Sequence, residues 1–199
     1  MSPTKSRLIA SLGFIVICIG IVGFFFLHFP ELKAKYFLSE LNSLQVGKST
    51  FQDAQGVALR IHATQGIACG PNACTWVARI SNLNLPERWR RTELTLVVGF
   101  EIRDSILVEK GAGLQFGTGT SVSFVHVDEK EHWRSASTEP VSVETQYTSD
   151  DPHYRAFVRM TPAASESDRK RYLSLNLHCL SKYGGCKDAA ELLPTVEWK

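Results

Sequence analysis

Residues Thr92 to Arg103 read TELTLVVGFEIR. In them Leu94, Leu96, Val98, Phe100 and Ile102 fall on one face, while Thr95, Val97, Glu101 and Arg103 fall on the other. Alternation of period two over this length marks a strand with one buried and one open face. Asp104-Ser105 supplies a turn into a hairpin partner, Ile106 to Lys110, and Thr75 to Asn82 places Trp76, Ala78 and Ile80 on a common face just upstream. Further on, Thr120 to Asp128 alternates through Val122, Phe124 and His126, and Tyr154 to Met160 through Tyr154, Ala156, Val158 and Met160, with Val141 to Gln146 a weaker candidate. Adjacent strands with short Gly-, Pro- and Asp-containing connections predict an antiparallel sheet of five to six strands rather than βαβ crossovers. Gly111 to Gly119, with four glycines, and the polar stretch Glu129 to Asp151 read as the most mobile loops.

Upstream of the sheet the period changes to 3.6. Pro30 to Leu44 carries Leu32, Tyr36, Phe37, Leu41 and Leu44, the stripe of an amphipathic helix. Gly47 interrupts it. Ser49 and Thr50, with Gln52 and Asp53 three residues on, each offer a capping box for a second helix whose core face is Phe51, Ala54, Val57, Ala58 and Ile61. Downstream, Ser165-x-x-Asp168 starts a helix with a buried stripe of Tyr172, Leu173, Leu177 and Leu180, ending at Gly184-Gly185, and Asp188 to Leu193 forms a short final helix stopped by Pro194.

The N-terminal end belongs to a different solvent. From Leu8 to Leu27 the sequence LIASLGFIVICIGIVGFFFL holds no charge, and as a helix it spans roughly 30 Å, the thickness of bilayer hydrocarbon. The run exceeds a signal-peptide core and the following HFPELKAKYF has no small-x-small site, which predicts an uncleaved anchor. Lys5 and Arg7 on one side balance Lys33 and Lys35 on the other, so the positive-inside rule does not orient it. The cysteines do. Cys69 with Cys74 and Cys179 with Cys186 form two close pairs outside the span, suited to disulfides in an oxidising compartment, whereas a single zinc site made of all four thiols departs from the usual C-x2-C spacing. Cys18 reads as an unmodified membrane residue. The chain therefore divides into a cytoplasmic N-terminus (1–7), a transmembrane helix (8–27), a juxtamembrane helix (28–46) and an extracytoplasmic α+β domain (47–199), periplasmic where the cell has an outer membrane. A disulfide clamps its C-terminal helical pair.

Residues 1–30 contain Lys5 and Arg7 and no acid, so 20 basic and 20 acidic residues remain in the rest of the chain. A neutral body argues against nucleic acid as a partner, since phosphate neutralisation needs a basic excess. Gly47-Lys48-Ser49-Thr50 looks like the end of a phosphate-binding loop, but Asn42 stands where the first glycine belongs and an amphipathic helix precedes it instead of a buried strand. It reads as a helix start. His126 and His132 flank Glu129 and Glu131 without the H-E-x-x-H spacing, and His62, His153 and His178 have no partner within their own segments. No G-x-S-x-G elbow is present. Neither a metal nor a cofactor is expected, and catalysis has no assigned residues. Arg88, Trp89, Arg90 and Arg91 combine charge with an aromatic ring and form the candidate surface contact, suited to phosphate groups or the membrane interface. Arg169-Lys170-Arg171 reads as a solvated helix face.

Leu41-x-x-Leu44-x-x-Gly47-Lys48-Ser49-Thr50-Phe51-x-Asp53-Ala54 resembles the opening of the outer-membrane assembly lipoprotein family SmpA/BamE. The resemblance implies a helix start followed by an antiparallel sheet, although the chain lacks a lipobox and adds a C-terminal helical pair. The segment Asn176 to Pro194, N-L-x-C-L-x-x-x-G-G-C-x-D-A-x-E-L-L-P, also resembles the ending of uncharacterised bacterial single-pass membrane-anchored proteins, which implies architecture and no particular chemistry. The expectation is a single-pass, non-catalytic interaction or assembly module of the cell envelope with protein partners there. Alternatives are a binder of envelope lipid or another ligand through the cluster at Trp89 and the concave side of the sheet, and an enzyme of unrecognised type.

Overall fold

The computed structural model describes residues 3–66, 69–70, 72–87, 93–118, 121–131, 139–148, 153–186 and 189–195. Helix α1 runs unbroken from Pro3–Ser43, with Pro30 inside it, so the apolar run and the amphipathic helix expected after it are one rod about 60 Å long. Of the apolar run, Phe14, Ile15, Val16, Ile17, Ile19, Ile21, Val22, Phe24, Phe25 and Phe26 are all at least 51% exposed, so the folded body does not bury these side chains. Beyond it, the stripe expected over Leu32 to Leu44 divides between two faces. Ala34, Phe37, Leu38, Leu41 and Leu44 are buried in the core, whereas Leu32 and Tyr36 point away from it. The packing selects the set centred on Leu38 because Ala34 lets the helix approach closely, and sequence alone does not say which flank meets the sheet.

After Gly47, whose φ of +77° suits glycine, helix α2 spans Phe51–Arg60. Of the two possible caps the chain uses Thr50. Its hydroxyl accepts from the Asp53 amide at 3.3 Å, and the Asp53 carboxylate accepts from the Thr50 amide at 2.9 Å. Ala54, Val57, Ala58 and Ile61 are buried as expected, and Phe51 stacks on Trp76 with ring centroids 5.5 Å apart.

The sheet has seven strands: β1 (Thr64–Gln65), β2 (Ala73–Ser81), β3 (Leu94–Arg103), β4 (Ile106–Thr118), β5 (Ser121–Lys130), β6 (Val141–Thr148) and β7 (His153–Met160), in the order β1-β2-β3-β4-β5-β7-β6. It is mixed rather than antiparallel throughout, because β7 pairs parallel to β5 while every other pair is antiparallel. The reason lies in side-chain polarity. Ala156, Val158 and Met160 of β7 are fully buried, so β7 takes the interior position and leaves β6, with its exposed Val143 and Glu144, at the edge. The β3–β4 hairpin turns at Asp104 and Ser105, both at positive φ, as the twist of the strands requires.

Several expectations are corrected. The glycine-rich stretch from Gly111 is strand through Thr118, and much of Glu129 to Asp151 belongs to β5 and β6. In β5 the core face is Val125 and Val127, both fully buried, while Phe124 and His126 stand on the other face. The C-terminal helix is also shorter than expected. Helix α3 covers only Glu166–Tyr172, capped by Ser165, and Leu177–Leu180 and Ala189–Glu191 are single 3-10 turns. Leu173 to Asn176 lead from α3 into the first of these, placing Leu177, Cys179 and Leu180 in the core against α1, a geometry that a continuous helix does not allow. Both cysteine pairs are disulfide-bonded, Cys69–Cys74 and Cys179–Cys186, so the four thiols do not converge on one metal.

Helices α1 and α2 and the turn Leu177–Leu180 all cover the same side of the sheet. Within this layer Lys110 is buried, donating to the Leu44 carbonyl at 2.6 Å and lying 3.5 Å from Glu129, which also pairs with Arg169 at 3.1 Å. Burial pushes the Lys110 pKa down against the opposing pull of Glu129. Lys110 thus satisfies a carbonyl left open where α1 ends. A second polar cluster ties α1 to the C-terminal turns. Glu31, 9% exposed, accepts from Lys35 at 2.7 Å and Ser181 at 2.5 Å and contacts His178 at 3.2 Å. Burial alone raises its pKa, but these hydrogen bonds and the Lys35 charge outweigh it and hold the group at about 2.

Candidate functional site

The second side of the sheet carries no helix among the described residues. Along β3 the even-numbered residues from Leu94 to Ile102 are buried, while Thr95, Val97, Gly99 and Glu101 are only partly covered. Strand register assembles this open face in rows. One row runs Val77, Gly99, Gly111, Asp128, Arg159, and the next runs Arg79, Val97, Gly113, His126, Phe157.

Glycines in strand interiors are costly unless something must come close. Here it is the chain's own side chains. A Cβ on Gly111 would lie 2.2 Å from Asp128 Oδ1, and one on Gly113 would lie 2.7 Å from His126 Nδ1. The two glycines let the His126 ring and the Asp128 carboxylate lie down across β4, with His126 Nε2 and Asp128 Oδ1 2.7 Å apart. Burial pushes the His126 pKa down, but the hydrogen bond and charge of Asp128, aided by Glu109, prevail and hold it above the ordinary value.

Gly99 is different. A Cβ there meets only ordinary contacts, 3.4 Å to the Trp76 carbonyl and 3.8 Å to Val77. Around it lies a depression of about 200 Å³ lined by Thr75, Val77, Val97, Gly99, Gly111 and His126 together with the carboxylates of Glu101, Glu109 and Asp128. That is smaller than the roughly 300 Å³ at which small-molecule pockets begin, and fits a single side chain of a polypeptide better than a cofactor. The rim carboxylates are partly neutralised, Glu101 by Arg103 at 2.6 Å and Glu109 by Lys130 at 2.6 Å. Beyond His126 the face continues as an aromatic and cationic strip. Phe124 and Phe157 meet edge to face at 5.1 Å, Arg155 lies over Phe124 and Arg159 over Phe157, and Arg159 reaches Glu144 at 2.5 Å.

The candidate contact residues Arg88, Trp89, Arg90 and Arg91 lie outside the described residues, as does His132. His178 contacts Glu31, and of the basic run on α3 Lys170 and Arg171 are exposed, as expected of a solvated face, while partly exposed Arg169 also reaches buried Glu129. No group of three potential metal ligands occurs among the described residues. At Gly47 to Ser49 the backbone amides donate to the Leu107 and Gln45 carbonyls, so they form a turn and not a phosphate cradle. What sequence reasoning missed was the His126–Asp128 pair and the two glycines beneath it. Their signal was present as Gly111-x-Gly113 on one strand and His126-x-Asp128 on the next, each pair spaced to fall on one face. Comparison with family models, with curated proteins and with solved structures finds no match for this chain.

Proposed function

We propose that this chain is a membrane-anchored, non-catalytic binding module of the cell envelope, in which α1 tethers an extracytoplasmic α+β domain whose open sheet face grips an extended segment of a protein partner. The observation that carries this reading is the depression at Gly99 and Gly111, on a sheet face that carries no helix among the described residues, with the His126–Asp128 pair in its wall. A flat face with a side-chain-sized socket, a neutralised acidic rim and an aromatic strip suits a chain laid across the strands with one apolar residue seated at Gly99. Support for the tether comes from the exposed apolar length of α1, and support for an oxidising compartment from the two disulfides. The resemblance of Leu41 to Ala54 to SmpA/BamE points the same way, toward envelope assembly.

The test is photo-crosslinking in intact cells, with a photoreactive residue at Val97 in the open face or at Leu59 on α2. A discrete adduct from Val97, lost when Gly99→Val fills the socket, is the expected result. The same adducts from both positions, or an adduct untouched by Gly99→Val, overturns the assignment.

A further inference from the structure

We propose that the outward face of α1 is the seam of a parallel dimer with a second copy of this chain. The inference rests on the anchor reading above. On that face Ile15, Cys18, Val22, Phe25, Phe29, Leu32 and Tyr36 recur at alternating spacings of three and four, the pattern by which two parallel helices keep one seam in contact. Within the apolar span every face is greasy, so the informative part lies past Leu27. There Phe29, Leu32 and Tyr36 stand 56%, 48% and 44% exposed, while the domain packs on the opposite flank through Ala34, Phe37, Leu38 and Leu41.

Lipid alone does not cover this stripe. Tyr36 stands about 13 Å beyond Leu27 along the helix, and the headgroup layer on each side of the hydrocarbon is only about 5–7 Å deep. A second copy covers all of it, because both chains enter the membrane in the same sense and a two-fold axis sets each seam residue against itself. The apolar pattern stops where the next outward positions become Ser39 and Ser43. Nor does the seam compete with the fold, since Pro30, where the helical hydrogen-bond ladder lacks a donor, is buried on the domain flank.

The symmetry places Cys18 of one copy against Cys18 of the other, a built-in reporter. The full chain is reconstituted in vesicles of phosphatidylethanolamine and phosphatidylglycerol and mildly oxidised. Disulfide-linked dimers are expected for native Cys18 and, in a Cys18→Ser chain, for Val22→Cys, Phe29→Cys and Leu32→Cys, but not for Ile17→Cys or Phe24→Cys. Leu32→Asp combined with Tyr36→Asp, about four and five turns from Cys18, is expected to abolish the Cys18 link. Equal linking on and off the seam, or a Cys18 link that survives the double substitution, overturns the dimer. A chain that floats with the vesicles yet shows no periodic pattern overturns the seam and leaves the anchor standing. A chain that does not float overturns both.

Discussion

At the residue scale, three glycines with the same name do two different jobs. Gly111 and Gly113 make room for the chain's own His126 and Asp128, whereas Gly99 leaves room for something else. Gly111→Ala is therefore expected to lift the Asp128 carboxylate off the sheet and press on the Val127 carbonyl, costing about 1–3 kcal/mol in denaturant unfolding. Gly99→Ala is expected to be neutral or to stabilise by up to about 1 kcal/mol, since it relieves the entropic cost of a strand glycine without a clash. His126 gives a pH signature. Its folded pKa lies above the unfolded value, so its contribution to stability is complete below the unfolded pKa and disappears as pH rises through the folded one. Thermal unfolding followed from pH 5 to 9 is expected to show this declining limb, and Asp128→Asn to remove it. The partners of this site were legible as residues but not as a site, because register decides which glycine lies under which side chain.

At the element scale, the helices are held to the sheet by buried polar contacts as well as by apolar packing. Lys110→Met removes the donor to the Leu44 carbonyl and leaves Glu129 with Arg169 alone, and is expected to destabilise by about 3 kcal/mol in chemical denaturation. Glu31 joins α1 to the C-terminal turns with the opposite pH sense from His126. Its pKa falls from 4.5 to about 2 on folding, so its contribution is present above pH 4.5 and is lost as pH falls toward 2. Acid unfolding of Glu31→Gln is expected to lack that loss, while the variant is less stable than the parent near neutrality by about 1–3 kcal/mol. The start of α2 was readable to within one residue, at Ser49 or Thr50, and that of α3 from Ser165 with Asp168, because capping is local chemistry. The end of α3 was not. Leu177 and Leu180 keep helical spacing in the sequence, but reaching the core beside α1 requires the chain to turn after Tyr172.

At the scale of the whole molecule, a helical rod about 60 Å long, apolar over its N-terminal half, carries a two-layer domain on one flank of its C-terminal third, and the far side of the sheet carries no helix among the described residues. Two short disulfide loops staple the domain's margins, and each is expected to contribute about 2 kcal/mol, read as a drop in unfolding midpoint on reduction. Local patterns in the sequence determined most of this body. They include the twenty uncharged residues from Leu8, the alternation from Leu94 to Ile102, a capped helix start at Ser49 or Thr50 and the pairing of near-neighbour cysteines. Each is set by contacts within a few residues or by the demand of a single solvent. Tertiary structure alone decided the parallel entry of β7, the face of β5 that turns inward, the flank of α1 that meets the sheet, and the laying of His126 and Asp128 over Gly113 and Gly111. Those depend on which of several comparably apolar surfaces bury one another, a competition between distant segments that no local period records.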